Sequence, residues 1–151
     1  MSAEFSWERR VEFCETDAAG IVHFSSLIIY MEQAEHALLR SLGLSVAHSA
    51  TATPDGATPD DSTWRNVSWP RVRVECDFLS PAKFEDIVSV NVFLSVLGKK
   101  SVTYQHRLFI GMRAIATGSM TSVCCKRENG TLVGREIPAE IRDALSLYLK
   151  S

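Results

Sequence analysis

The chain has 151 residues, of which 46% are hydrophobic, 23% charged and 9% aromatic, with a formal net charge of −2. This is the size of one domain with material for one core, and the composition excludes a disordered or fibrous chain. The absence of a basic surplus argues against a nucleic-acid partner, and no run approaches the roughly 20 apolar residues of a membrane helix.

The first ten residues, MSAEFSWERR, lack the apolar core of a secretory signal, so a cytoplasmic protein is expected. Phe5, Trp7, Val11 and Phe13 fall on alternate positions, a strand pattern interrupted by Arg9. The polar, turn-rich segment Glu15-Thr16-Asp17-Ala18-Ala19-Gly20 follows. From about Ser25 the period changes: Leu27, Met31, Ala34, Leu38 and Leu42 recur every three or four residues, which predicts an amphipathic helix of about five turns. Ser25 or Ser26 is suited to cap it, and Gly43 to end it. Residues 48–66 have no periodicity and read as a long, flexible loop insertion in a single domain spanning 1–151. Four strand patterns come next. They run through Pro70, Val72, Val74, Cys76 and Phe78; through Val88, Val90, Val92, Leu94 and Val96; through Val102, Tyr104, His106, Leu108 and Ile110; and over residues 112–125. Their links are short, so consecutive strands pair antiparallel. Pro138 then opens a closing helix to about Leu149.

One helix cannot cover both faces of a five-stranded sheet. The simplest arrangement is an α+β fold, a curved antiparallel sheet wrapped around the long helix. An edge strand left bare invites pairing with a second copy. The four cysteines match no zinc spacing and read as free, buried thiols, with Cys124 and Cys125 pointing to opposite faces of a strand. No metal is expected.

Asp17 lies between a strand and the start of the long helix. A helix N-terminus carries unpaired N–H groups and partial positive charge, and such donors stabilise a developing oxyanion. A carboxylate beside them is placed to attack a carbonyl carbon or to activate water. An Asp in this setting is also a common cap or turn residue.

The segment Asp17-Ala18-Ala19-Gly20-Ile21-Val22-His23-Phe24 resembles the active-site signature of the hot-dog-fold thioesterases, in the 4-hydroxybenzoyl-CoA thioesterase group. Glu32-Gln33-Ala34, Leu42-Gly43-Leu44, Pro70-Arg71-Val72, Asp77-Phe78-Leu79-Ser80-Pro81, Phe84-Glu85-Asp86 and Arg135-Glu136-Ile137-Pro138 resemble its later blocks in the same order. The resemblance implies a hot-dog fold and an acyl-CoA thioesterase without a cofactor, assembled as a homodimer or a homotetramer. It implies Asp17 as nucleophile or general base and the backbone N–H of Phe24 as the group polarising the carbonyl. It places Gly20, Ile21, Val22 and His23 around them, and Ser68 near the acyl group across a dimer. It implies that Lys99 and Lys100, at the turn after Gly98, hold the phosphates of CoA; read alone, they equally suit a solvated hairpin tip.

Other classes remain open on the sequence: hydrolysis on an acyl carrier protein, a non-catalytic acyl-binding scaffold, or a dehydratase, which the Asp-x-x-Gly placement disfavours. His23 is a candidate to tune or replace Asp17. His106 alternates with apolar residues and reads as a satisfied core histidine, whereas His36 and His48 read as surface groups. Glu32 and Glu35 read as helix-surface or helix-end groups.

Overall fold

The computed structural model describes residues 3–46 and 64–151. Strand β1 (Phe5–Arg10) leads through a 3-10 turn (Phe13–Glu15) and a loop to helix α1 (Phe24–Ser41). Strands β2 (Arg71–Phe78), β3 (Ile87–Leu97), β4 (Ser101–Ile110) and β5 (Arg113–Val123) follow. A small hairpin, β6 (Cys125–Glu128) and β7 (Thr131–Gly134), precedes helix α2 (Ala139–Ser146). The five long strands form one antiparallel sheet in the order β1-β3-β4-β5-β2. This is the five-stranded sheet with one long and one short helix that the periodicities predict.

Helix α1 packs on one face of that sheet because one side of it is apolar: Leu27, Tyr30, Met31, Ala34, Leu38 and Leu39 are buried. They meet Val88, Val90, Val92 and Leu94 of β3 and Val102, Tyr104 and Leu108 of β4. The helix comes close at Gly118 of β5, where a Cβ would stand 2.4 Å from the Met31 sulfur and 3.0 Å from the Glu75 carbonyl. Gly43, at φ +74°, ends the helix as expected. The Gly43 N–H reaches the Arg40 carbonyl and the Leu44 N–H the Leu39 carbonyl, a Schellman turn that buries Leu44 against Leu39.

Several expectations are corrected. The first strand stops at Arg10, and Phe13 sits exposed in the 3-10 turn. The Glu15 side chain accepts the Glu12 N–H at 2.7 Å, and this local bond replaces ladder pairing. Helix α1 starts one residue early, at Phe24, and its cap is His23, whose Nδ1 accepts the Ser25 N–H at 3.2 Å. A register shift after Leu94 turns Val96 opposite Thr103, on the face away from α1, where it is exposed. Cys124 falls between β5 and β6, so strand alternation does not apply, and it and Cys125 are both buried. Burial raises the Cys124 thiol to about 11. All four thiols are free, but Cys14 is exposed and Cys76 half-buried. Helix α2 is shorter than predicted, ending at Ser146.

The β6–β7 hairpin was absent from the strand patterns although its signal is present. Asn129-Gly130, both at positive φ, is the dipeptide that favours a tight two-residue hairpin turn. The loop expected over 48–66 lies outside the described residues except for its last three, and His48 lies outside them too.

Two polar groups depart from expectation in the core. Glu35 is 1% exposed, not on the helix surface; its Oε2 accepts from Arg71 Nη1 at 2.9 Å, while Glu32 meets Nη2 of the same arginine at 3.2 Å. Burial raises the Glu35 carboxyl and Arg71 opposes the shift. His36 is half-buried rather than a surface group, and burial lowers its imidazole. His106 is buried as expected, yet it is not satisfied. The carbonyls of Gly118 and Met31 lie near the ring, but neither ring nitrogen makes a hydrogen bond of good geometry. Burial, with Arg71 adding to it, lowers the imidazole to about 3.

Candidate active site

The loop before α1 is closed by an antiparallel bridge between Thr16 and Val22, which leaves Asp17 to Ile21 as a five-residue turn. Within it the Asp17 N–H reaches the Ile21 carbonyl at 2.8 Å and the Gly20 N–H reaches the Asp17 carbonyl at 3.0 Å. Gly20 stands at φ +79°, a conformation that a side chain disfavours and glycine adopts freely. The Asp17 carboxylate uses Oδ1 to accept the Ala19 N–H at 2.8 Å. Its second oxygen has no protein partner among the described residues.

The helix start is assembled against this turn. The His23 N–H donates to the Glu15 carbonyl at 2.9 Å, and the Val22 N–H donates to the Ala82 carbonyl at 2.8 Å. The His23 side chain and carbonyl then take the N–H groups of Ser25 and Ser26. The N–H of Phe24, the first helical residue, is left without a partner among the described residues, as geometry requires of a first-turn donor. Glu15 fixes the approach from below, where its carboxylate accepts from Arg9 Nη2 at 2.7 Å and from the Tyr30 hydroxyl at 2.8 Å. Burial and the bond to Glu15 raise the Tyr30 phenol.

These elements border a cleft of about 410 Å³ lined by Asp17, Ile21, Val22, Phe24, Leu27 and the continuous stretch Phe78 to Ala82. The lining is apolar apart from Asp17 and Ser80. Phe24 and Phe78, 58% and 50% exposed, meet edge to face with ring centroids 6.2 Å apart. The far wall is the link from β2 to β3. It is held by Arg113, whose Nη1 donates to Ser80 Oγ at 2.8 Å and to the Pro81 carbonyl at 2.7 Å. No sequence pattern had singled out Phe78 to Ala82 as lining, since they are tied to the end of the Asp17 loop by a main-chain bond between distant segments, from the Val22 N–H to the Ala82 carbonyl.

Of the residues singled out in the sequence, Asp17, Ile21, Val22 and Phe24 line this cleft. Gly20 shapes the turn, and His23 caps the helix with its ring 4.5 Å from that of Phe24. Ser68, Lys99 and Lys100 are elsewhere. Ser68 bridges Cys125, and Lys99 and Lys100 follow the end of β3, whereas the cleft borders Phe78 at the other end of β2. The eight residues of β2 set the two ends roughly 25 Å apart. Glu32, His36, Ser68, Trp69, Arg71 and Arg127 border a second cleft of about 410 Å³ at that far end.

Among the described residues, no three or more His, Cys, Asp or Glu side chains converge to hold a metal ion, and no helix is long and apolar enough to cross a membrane.

Residues 19–116 match the family model described as Thioesterase superfamily. A 1,4-dihydroxy-2-naphthoyl-CoA hydrolase of Synechococcus elongatus is 24% identical over 145 residues, 96% of this chain and 97% of that protein. A crystal structure of a gentisyl-coenzyme A thioesterase superposes with a TM-score of 0.73 at 28% identity, covering 91% of this chain and 98% of the other. That of a 1,4-dihydroxy-2-naphthoyl-CoA thioesterase from Synechocystis, at 20% identity, shares the fold with a TM-score of 0.78 over 95% and 96% of the two chains.

Proposed function

The chain belongs to the thioesterase superfamily and is a thioester hydrolase of hot-dog fold, and we propose that it hydrolyses an aromatic acyl-CoA with Asp17 as the catalytic carboxylate. The observation that carries this is the pairing of an uncommitted Asp17 oxygen with an uncommitted Phe24 N–H at the edge of one apolar cleft. The thioester carbonyl oxygen accepts from that N–H, and the carboxylate faces the carbonyl carbon. As a general base, Asp17 takes a proton from water while the hydroxide attacks the carbon. The C–S bond then breaks, and the proton passes to the departing thiolate. As a nucleophile, Asp17 forms an acyl anhydride and expels the thiolate directly, and water hydrolyses the anhydride. In both routes the negative charge develops on the oxygen held by the helix start, where one oriented donor is worth about 3–4 kcal/mol. A thiol leaving group ionises near pH 8.5, so little further assistance is needed.

The aromatic acyl group is supported by the Phe24–Phe78 walls with Leu27 and Leu79. Two of the proteins similar to this chain are named for 1,4-dihydroxy-2-naphthoyl-CoA and gentisyl-coenzyme A.

The site is read as shared by two copies of the chain. β2 is an edge strand, and Val74 and Phe78, on its face toward α1, remain 43% and 50% exposed, although Phe78 meets the ring of Phe24 at the start of α1. Antiparallel pairing of two β2 edges about a two-fold axis covers that face. It also brings the start of one β2, with Ser68, Lys99 and Lys100 near it, beside the end of the other, where Asp17 lies. The lysines then take the CoA phosphates from across the interface.

The test is release of free thiol from a panel of aromatic and aliphatic acyl-CoAs. Asp17→Asn is expected to lower kcat by roughly 10²–10⁴-fold with the fold and oligomer unchanged. Full activity in that variant removes Asp17 from the chemistry.

A further inference from the structure

We propose that Arg142, on the C-terminal helix, is a positioning residue for recognition of the nucleotide end of the substrate. It acts by holding the main chain of the turn that presents Lys99 and Lys100. The inference rests on the reading of those two lysines given above and extends it to a residue that touches no substrate.

The β3–β4 turn is not a free hairpin tip. The Gly98 N–H closes it onto the Ser101 carbonyl at 2.8 Å, and a Cβ at Gly98 would stand 2.9 Å from Ser101 Oγ. All four carbonyls from Leu97 to Lys100 are then taken from neighbouring elements. Arg142 Nη2 donates to the Gly98 carbonyl at 2.6 Å and to the Lys99 carbonyl at 3.3 Å, and Nη1 donates to the Leu97 carbonyl at 3.4 Å. The Ile137 N–H reaches the Lys99 carbonyl at 2.9 Å, and the Cys124 N–H reaches the Lys100 carbonyl at 2.6 Å.

Arg142 is therefore the only side chain among these partners, and it alone spans three consecutive carbonyls. Its place is set by the core, since its neighbour Ile141 and, one turn on, Leu145 anchor α2 in buried positions. Lys99 and Lys100 themselves are exposed, and neither forms an ion pair among the described residues.

Two physical consequences follow. Carbonyl oxygens gathered onto a guanidinium cannot turn outward, where their partial negative charge would repel a phosphate. A turn held in one shape also spares the ordering cost that a flexible tip meets on binding. Both favour an anion at Lys99 and Lys100, and neither touches the thioester.

The experiment compares one acyl group carried on CoA and on N-acetylcysteamine, which lacks the nucleotide, in the wild type, Arg142→Met and Arg142→Lys. Calorimetric titration with adenosine 3′,5′-bisphosphate runs alongside. Arg142→Met is expected to raise KM for the CoA ester about tenfold, the size of one lost charge-assisted contact, with kcat little changed. It should weaken bisphosphate binding in parallel and leave the truncated ester unaffected. Arg142→Lys, which keeps the charge and some of the bonds, is expected to fall between. Equal losses on both esters, or unchanged KM in both variants, overturn the role of Arg142. A wild type that does not distinguish the two esters and binds no bisphosphate overturns the lysine reading, and this inference with it.

Discussion

Replacing His106 by leucine is expected to make the protein more resistant to acid. The ring is 1% exposed, packed between α1 and β5 beside Tyr104, and its nitrogens lack good hydrogen bonds. Burial, reinforced by the Arg71 guanidinium, lowers the imidazole from an ordinary 6.5 to about 3. The folded-state value lies below the unfolded one. Between pH 6.5 and about 3 the unfolded chain therefore binds a proton that the folded chain refuses, and stability falls as pH falls through that window. Each pH unit costs about 1.4 kcal/mol, so the loss from this residue at pH 4.5 is about 3 kcal/mol, a sizeable share of a typical domain's stability. Leucine is close in volume and cannot be protonated. Urea unfolding followed by the fluorescence of the three tryptophans, at pH 7.5 and 4.5 and one protein concentration, measures the difference. Carboxylates titrate equally in both proteins and cancel. The variant is expected to lose about 3 kcal/mol less than the wild type between the two pH values. Parallel losses would mean that the imidazole accepts its proton in the folded state, and the argument from burial would fail.

The shared site predicts complementation. Co-expressed Asp17→Asn and Lys99→Ala/Lys100→Ala chains should regain about a quarter of wild-type sites through hybrid dimers, seen as activity at low acyl-CoA concentration above either parent, whereas sites built within one chain would show no recovery. The buried ion pair predicts that Arg71→Met, which strands the Glu35 carboxylate, costs about 3–5 kcal/mol in urea unfolding, and that adding Glu35→Leu recovers most of it. A double variant no more stable than Arg71→Met would refute that account.

Local chemistry and periodicity made much of this protein legible. The 3.6-residue repeat of Leu27, Met31, Ala34 and Leu38 specified α1, and two-residue alternation specified β3 and β4, because each element must turn its apolar side to one core. The Asp17-to-Phe24 segment was readable because a turn, a glycine at positive φ and a helix start are all written in adjacent residues. Tertiary structure decided what depends on residues far apart in sequence. Glu35 looked like a surface group until Arg71, 36 positions on, gave its charge a partner in the core. The wall from Phe78 to Ala82 became part of the cleft only through the bond from Val22 to Ala82. Val96 left the core through a bulge that alternation cannot foresee. Sequence pattern records which residues prefer to leave water, whereas burial of a charge, the closing of a cleft and the placing of Asp17 and Lys99 toward opposite ends of β2, a strand roughly 25 Å long, arise from contacts that exist only once the sheet has formed.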